Sequence, residues 1–161
     1  MKRIVMLVAA MVFVVILWPA PVQAQTETSV TGAGEGIFPA GASYLGVPLN
    51  SLTLGMGLWV AGSSALGQLQ TSLIGVTPLG AREIVVEGLA STSVPSGLHT
   101  AIFSGTCTVD PGDGTPPLMG VPFTASVAAN PDGSGSLALT LGATSLPAAA
   151  INEGYVTVRP Q

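Results

Sequence analysis

The chain has 161 residues, a formal net charge of −4 and few charged side chains. When residues 1–24 are set aside, Arg82 and Arg159 are the only Lys or Arg residues left to balance eight carboxylates. Two cations cannot neutralise several phosphates, so the composition argues against nucleic acid and anionic lipid as partners. Residues 25–161 have the length of a single domain and can bury a core.

The N-terminus has the order of a secretory signal peptide. Lys2 and Arg3 precede an uncharged apolar run over 4–18, and the small residues of 22–24 form a cleavage site. The apolar run is shorter than the roughly 20 residues needed to cross a bilayer. We therefore expect cleavage after Ala24, a secreted, periplasmic or cell-envelope location, and no stable membrane span in the mature protein. The alternative is an uncleaved membrane anchor.

The first part of the domain has weak strand signals. Residues 28–36 are polar and rich in glycine, which predicts a weak first strand at the edge of its sheet. Residues 37–50 contain the prolines and glycines of a loop, and Tyr44 is its predicted anchor.

The alternation becomes clear over 51–60. Apolar side chains there predict one inward face, and Gly55, Gly57 and Trp59 lie on the other. The two glycines predict a bulge or a close sheet contact. Trp59 either packs under a loop, which the pattern favours, or offers an exposed aromatic platform.

Residues 101–109 give the clearest strand of the chain. Phe103, Cys107 and Val109 are predicted on its inward face, and residues 121–129 repeat the pattern. Cys107 is the only cysteine, so no intramolecular disulfide can form. It is interpreted as a small buried hydrophobe, and the alternatives are a reactive thiol or an intermolecular disulfide.

Further strands are predicted over 68–74, 83–89, 137–141 and 155–159, with a single helical turn over 147–152. About eight short strands at near-regular spacing predict an all-β fold. The pattern favours an antiparallel β-sandwich, immunoglobulin-like or jelly-roll-like, and a small barrel is the alternative. A transmembrane barrel has a similar length, but it would carry aromatic girdles, and the aromatic residues here are scattered.

Four short motifs stand out along the domain. They are Gly67-Gln68-Leu69-Gln70, Glu87-Gly88-Leu89-Ala90, Ala101-Ile102-Phe103-Ser104-Gly105-Thr106 and Gly154-Tyr155-Val156-Thr157-Val158. Together they resemble a loose group of bacterial exported β-domains, the post-COAP type. The resemblance covers more than half of the domain and implies a secreted β-sandwich with no established activity. That group has an acidic residue at the start of the strand after the hairpin, where this chain has Ser136.

The residues that commonly perform catalysis are not arranged for it. His99 is the only histidine, and no Gly-x-Ser-x-Gly elbow accompanies it. His99 and Cys107 alone do not make a zinc cluster. Glu83 and Glu87 share one face of a strand roughly 13 Å apart, farther than the carboxyl pair of a glycosidase. We therefore expect a protein that is not an enzyme, and a small carboxylate-based hydrolase is the least favoured function.

Two turns carry side-chain oxygens of the kind that calcium binds. Asp110 and Asp113 share one loop, and Asn130 and Asp132 occupy alternate positions in a hairpin turn. The hand-type calcium loop needs a glutamate at its twelfth position, and counting from Asn130 that position is Leu141. Calcium is therefore a candidate cofactor, and ordinary turn chemistry is the alternative.

The sequence thus predicts an exported, non-enzymatic protein with a structural or binding role at the cell envelope or outside the cell. Its predicted partner is an envelope polysaccharide or a protein. The alternative is a carbohydrate-binding module that stacks sugars on Trp59 or Tyr44. These two functions differ in whether exposed aromatic rings share one face of the sheet.

Overall fold

The structure is a computed structural model that describes residues 27–94 and 96–161. The signal-peptide prediction concerns residues that lie outside this described part. Within it, no helix has the length and hydropathy that crossing a membrane requires.

The fold is all-β, because apolar and polar side chains alternate along nearly every segment. The strands are β1 (Glu27–Ile37), β2 (Ser43–Tyr44), β3 (Val47–Ala61), β4 (Ser64–Thr77), β5 (Gly80–Val94), β6 (Thr100–Asp110), β7 (Leu118–Ala129), β8 (Gly135–Leu141), β9 (Thr144–Ser145) and β10 (Ala149–Pro160).

All of the strand pairs are antiparallel. Neighbouring strands pair in sequence from β3 to β8, and β10 pairs with β8 on one side and with β1 on the other. β1 also pairs with β3, so the series of pairings returns to its starting strand. The short β2 pairs with β3, and the short β9 pairs with β8.

The prediction that the first strand lies at a sheet edge is wrong, because β1 has a partner along both sides. The glycines of β1 suggested an edge strand. Gly32 and Gly36 instead face the interior, where neighbouring side chains occupy the space beside them. A Cβ on Gly32 would lie 2.7 Å from the Met56 methyl group, and one on Gly36 would lie 2.7 Å from Cδ1 of Ile151. Small residues on β1 therefore make room for large ones on β3 and β10.

The inward faces of the strands form one apolar core. Phe103 is fully buried and meets Phe123 edge to face, with ring centroids 6.2 Å apart. Cys107 is buried beside them, as predicted, and its thiol donates to the carbonyl of Val121 at 3.3 Å. Burial raises the pKa of this thiol.

The segment between β1 and β3 covers one end of the sheet. Its apolar side chains Phe38, Ala42 and Tyr44 are buried. The amide of Phe38 donates to the carbonyl of Asn50 at 2.9 Å, which returns the segment to β3. Tyr44 is thus an anchor, as the sequence predicts.

Two polar side chains enter the core with partners. The Thr71 hydroxyl donates to the carbonyl of Thr53 at 2.7 Å, and the Ser93 hydroxyl lies 2.9 Å from the carbonyl of Gly62. Hydrogen bonds of this kind remove the cost of burying a hydroxyl group.

Several strands are longer than the sequence predicted, and one predicted helical turn is a strand. Only Gly62 and Ser63 separate β3 from β4, so both strands extend beyond the predicted ranges 51–60 and 68–74. The helical turn predicted over 147–152 is wrong, since Ala149 begins β10 and pairs with Leu137. Pairing with β8 overrides the local signal there.

Candidate functional site

Trp59 lies on the outer face of β3, opposite Ser29 of β1 and Leu66 of β4. Its side chain is 42% exposed. This exposure contradicts the interpretation in which the ring packs under a loop. Its other predicted role, as an exposed aromatic platform, is compatible with this position.

Next to Trp59 the outer face is bare. Gly55 and Gly57 precede it on β3, and a Cβ built on either one would have no heavy atom within 4 Å. Thr31 and Ala33 of β1 lie directly beside them. These four small residues form the floor of what we call the trough.

Larger side chains border the trough on both sides. Tyr155 and Thr157 of β10 pair with the β1 part of the floor, and Gln68 and Gln70 of β4 pair with the two glycines. Trp59 stands at one end. The trough is therefore a strip of small residues along β3 on the outer face of the sheet, with two amides on one side and a tyrosine on the other.

The walls are held by side-chain hydrogen bonds. Thr31 and Thr157 share a hydroxyl–hydroxyl hydrogen bond of 2.8 Å across β1 and β10. Gln70 donates to Oε1 of Glu87 on β5 at 3.3 Å. A shallow cavity of about 340 Å³ lies on the far side of the β4 wall, lined by Gln68, Gln70, Glu87, Leu89 and Thr108 among others.

Tyr155 is the trough residue that the sequence reasoning missed as a candidate. Its ring is 49% exposed on the outer face shared with Trp59. The signal was present, since Tyr155 alternates with the inward Val156. Its proximity to Trp59 depends on β1, which joins β10 to β3 and which no local pattern predicts.

Tyr44 does not take part in the trough. Only 4% of it is exposed, so its ring is not available for stacking. Burial, and then the nearby Cys107 thiol, raises the pKa of the Tyr44 phenol. The exposed aromatic pair on one sheet face is therefore Trp59 with Tyr155.

The first calcium candidate lies in the loop between β6 and β7. Asp113 accepts from the hydroxyl of Thr115 at 2.5 Å, and its other oxygen forms an ion pair with Arg82 at 2.5 Å. Asp110 accepts from the amide of Gly112 at 2.9 Å. The Thr115 hydroxyl, the Thr115 amide and then Arg82 lower the pKa of Asp113. Donors within the protein thus occupy these carboxylate oxygens.

The second calcium candidate is the turn between β7 and β8. Asp132 accepts from the amide of Ser134 at 2.9 Å and from its hydroxyl at 2.7 Å, which lowers the pKa of Asp132. Asn130 donates to the same hydroxyl at 2.9 Å.

These two turns lie at opposite ends of β7, a strand of twelve residues. At about 3.3 Å per residue the turns are more than 30 Å apart, so the two pairs of candidate ligands cannot share one ion. In the part of the chain that the structure describes, no three His, Cys, Asp or Glu side chains are grouped to hold a metal.

The remaining titratable candidates are dispersed. His99 is exposed in the turn before β6, and its carbonyl accepts from the amide of Ala129 at 2.8 Å. Glu83 and Glu87 are both exposed on β5. Only Glu87 adjoins the trough, through Gln70.

Charge is uneven around the trough. Glu35 and Glu153 are directly opposite each other on β1 and β10, at the end away from Trp59. Glu87 adds a third carboxylate beyond the Gln wall. Arg159 is paired with Ser29 at the Trp59 end. Glu27 lies two residues before Ser29 on the same face of β1, so the surroundings of the trough carry four carboxylates and one cation.

No protein-family model matches the chain, and no curated protein or solved structure matches it significantly. The resemblance of its motifs to exported β-domains accordingly stays a prediction.

Proposed function

We propose that this is an exported, non-enzymatic protein with a structural or binding role at the cell envelope or outside the cell, and that the trough is its binding site. The signal-peptide pattern of residues 1–24 supports export. The side chains around the trough are hydroxyls, amides and aromatic rings, which suit binding.

We also propose that the sheet closes on itself as a single ring of eight strands, in place of a two-sheet sandwich. The pairing of β1 with both β10 and β3 supports this architecture. A closed ring is a rigid support, because it leaves the long strands without free edges. Its apolar side chains face inward, and the outer face is free to carry a site.

The observation that carries the binding site is the pair Gly55 and Gly57. Glycine inside a strand costs roughly 0.5–1 kcal/mol of stability relative to alanine. Neither glycine has a positive φ, and neither has a neighbour that a Cβ would meet. The fold would accept larger residues at both positions, so the bare floor is explained by a ligand that approaches the backbone.

Export is tested on the protein recovered from its native host. Mass spectrometry of the extracellular and envelope fractions should find a chain that begins at Gln25. A chain retaining residues 1–24 in the cytoplasm would contradict the proposal.

The binding site is tested by filling the trough. The double variant Gly55→Thr/Gly57→Thr adds β-branched side chains that suit a strand, so it should fold at least as stably as the natural protein. We expect it to lose cosedimentation with insoluble envelope material from the host. The matched control, Ala138→Thr on the outer face of β8, should retain it. Equal retention by both variants would remove the trough from the proposal.

A further inference from the structure

We propose that the trough binds an extended, uncharged polysaccharide chain that lies along β3, with one sugar ring stacked on Trp59. This inference rests on the proposed function and names the ligand class for the same site.

The shape of the trough favours a polymer. Small-molecule sites are concave and bury most of their ligand. The trough is open above and lies on the outside of the ring, and its bordering strands β10 and β4 are three strand spacings apart, about 14 Å along the sheet surface. One polymer chain can lie on this floor and continue past its ends.

The two aromatic rings are placed for successive units of such a chain. Trp59 is four residues along β3 from Gly55, and Tyr155 is two strands across from Gly55. These offsets separate the two Cα atoms by about 16 Å along a diagonal. A compact ligand would reach one ring, whereas an extended chain contacts both.

The chemistry of the side chains matches a sugar. The face of an aromatic ring is electron-rich and attracts the weakly positive C–H groups on the apolar face of a sugar ring. The amides of Gln68 and Gln70 both donate and accept hydrogen bonds, as sugar hydroxyls require. On the opposite side of the trough, the hydroxyl groups of Thr31 and Thr157 can also donate and accept hydrogen bonds.

Charge selects against acidic polymers. Arg159 is the one cation among the described neighbours of the trough. The carboxylates that surround the trough are those of Glu27, Glu35, Glu87 and Glu153. A chain of carboxylates or sulfates laid along β3 would approach these like charges, and like-charge juxtaposition excludes partners effectively. An uncharged chain meets no such penalty.

Affinity electrophoresis provides the first test. The purified protein is run through native gels that contain hydroxyethylcellulose, laminarin, glucomannan or dextran as neutral probes, and alginate as the acidic probe. We expect retardation by at least one neutral polymer and none by alginate. Trp59→Ala and Gly57→Thr should each weaken the apparent affinity about tenfold or more, the loss typical of a central contact. Ala138→Thr should not.

Trp59 supplies a second readout. It is the only tryptophan after residue 24, so its fluorescence reports on the trough directly. The retarding polymer should shift and saturate this emission, and in Gly57→Thr, where Trp59 itself remains, the change should need at least about tenfold more polymer.

The outcomes separate the two proposals. If no neutral polymer retards the protein while trough-dependent binding to envelope material persists, the polysaccharide is wrong and the partner is a protein. Retardation by alginate equal to that by the neutral probes would overturn the argument from charge. If the natural protein binds neither the neutral polymers nor the envelope material, the proposed function is wrong as well.

Discussion

Gly88 on β5 and Phe123 on β7 contact each other across the interior of the sheet. A Cβ built on Gly88 would lie 2.8 Å from Cε1 of the Phe123 ring. The same ring meets Phe103 edge to face. Gly88 is therefore a glycine that the core requires, in contrast to Gly55, which has open space outside the sheet.

Gly88→Ala should destabilise the protein by about 1–3 kcal/mol, because the added methyl group overpacks a core that holds a rigid ring. Urea denaturation measures the change. Gly55→Ala is the matched control and should leave stability equal or higher by about 0.4–1 kcal/mol, since it restricts the unfolded chain without meeting a neighbour. Equal effects of the two variants would contradict the packing described.

Phe103→Ala should destabilise the protein by about 3–5 kcal/mol, because it leaves a cavity at a fully buried position. Thermal unfolding followed by circular dichroism is a suitable measurement. Phe103→Leu keeps most of the volume and should cost less. A loss below about 1 kcal/mol for the alanine variant would place the ring outside the core.

Asp113 should make stability depend on pH at the acidic end. Hydrogen bonds from Thr115 and the charge of Arg82 hold its pKa below the usual value of 3.8. A carboxyl with a lowered pKa stabilises the folded state above its unfolded pKa, and this contribution disappears as pH falls through the folded pKa. The stability difference between the natural protein and Asp113→Asn should therefore be largest near neutral pH and vanish well below pH 3.8. A constant difference across pH 2–7 would show that the charge plays no part.

Cys107 should be inert in the folded protein. It is 3% exposed, and burial raises the pKa of its thiol, so little thiolate is available to react. Labelling with an aromatic disulfide reagent should proceed slowly in buffer and rapidly in denaturant. Fast labelling of the native protein would indicate an exposed or opened β6.

The alternation of side chains predicted which residues face the core. Phe103, Cys107 and Val109 are buried as their spacing requires, because a strand allows each side chain only two directions. The same rule placed Trp59 on the face opposite the leucines of β3. Local periodicity carried this information without any knowledge of strand order.

The strands that pair with β1 could not be predicted from local alternation. Its polar and glycine-rich sequence resembles an edge, and its neighbours are fixed by the residues that fill the space over Gly32 and Gly36. The trough depends on that pairing, since β1 brings Tyr155 beside the glycines of β3.

The ladder in which Thr28 opposes Pro160 has a consequence for how the protein is made. The ribosome synthesises the chain from its N-terminus, so β1 emerges first and its partner β10 emerges last. Until then β1 exposes a row of unpaired backbone groups, and bringing such distant segments together is a slow step in folding. A chain that loses its last ten residues to a protease or a premature stop would keep this bare strand permanently, and it should aggregate rather than persist as a slightly shorter domain.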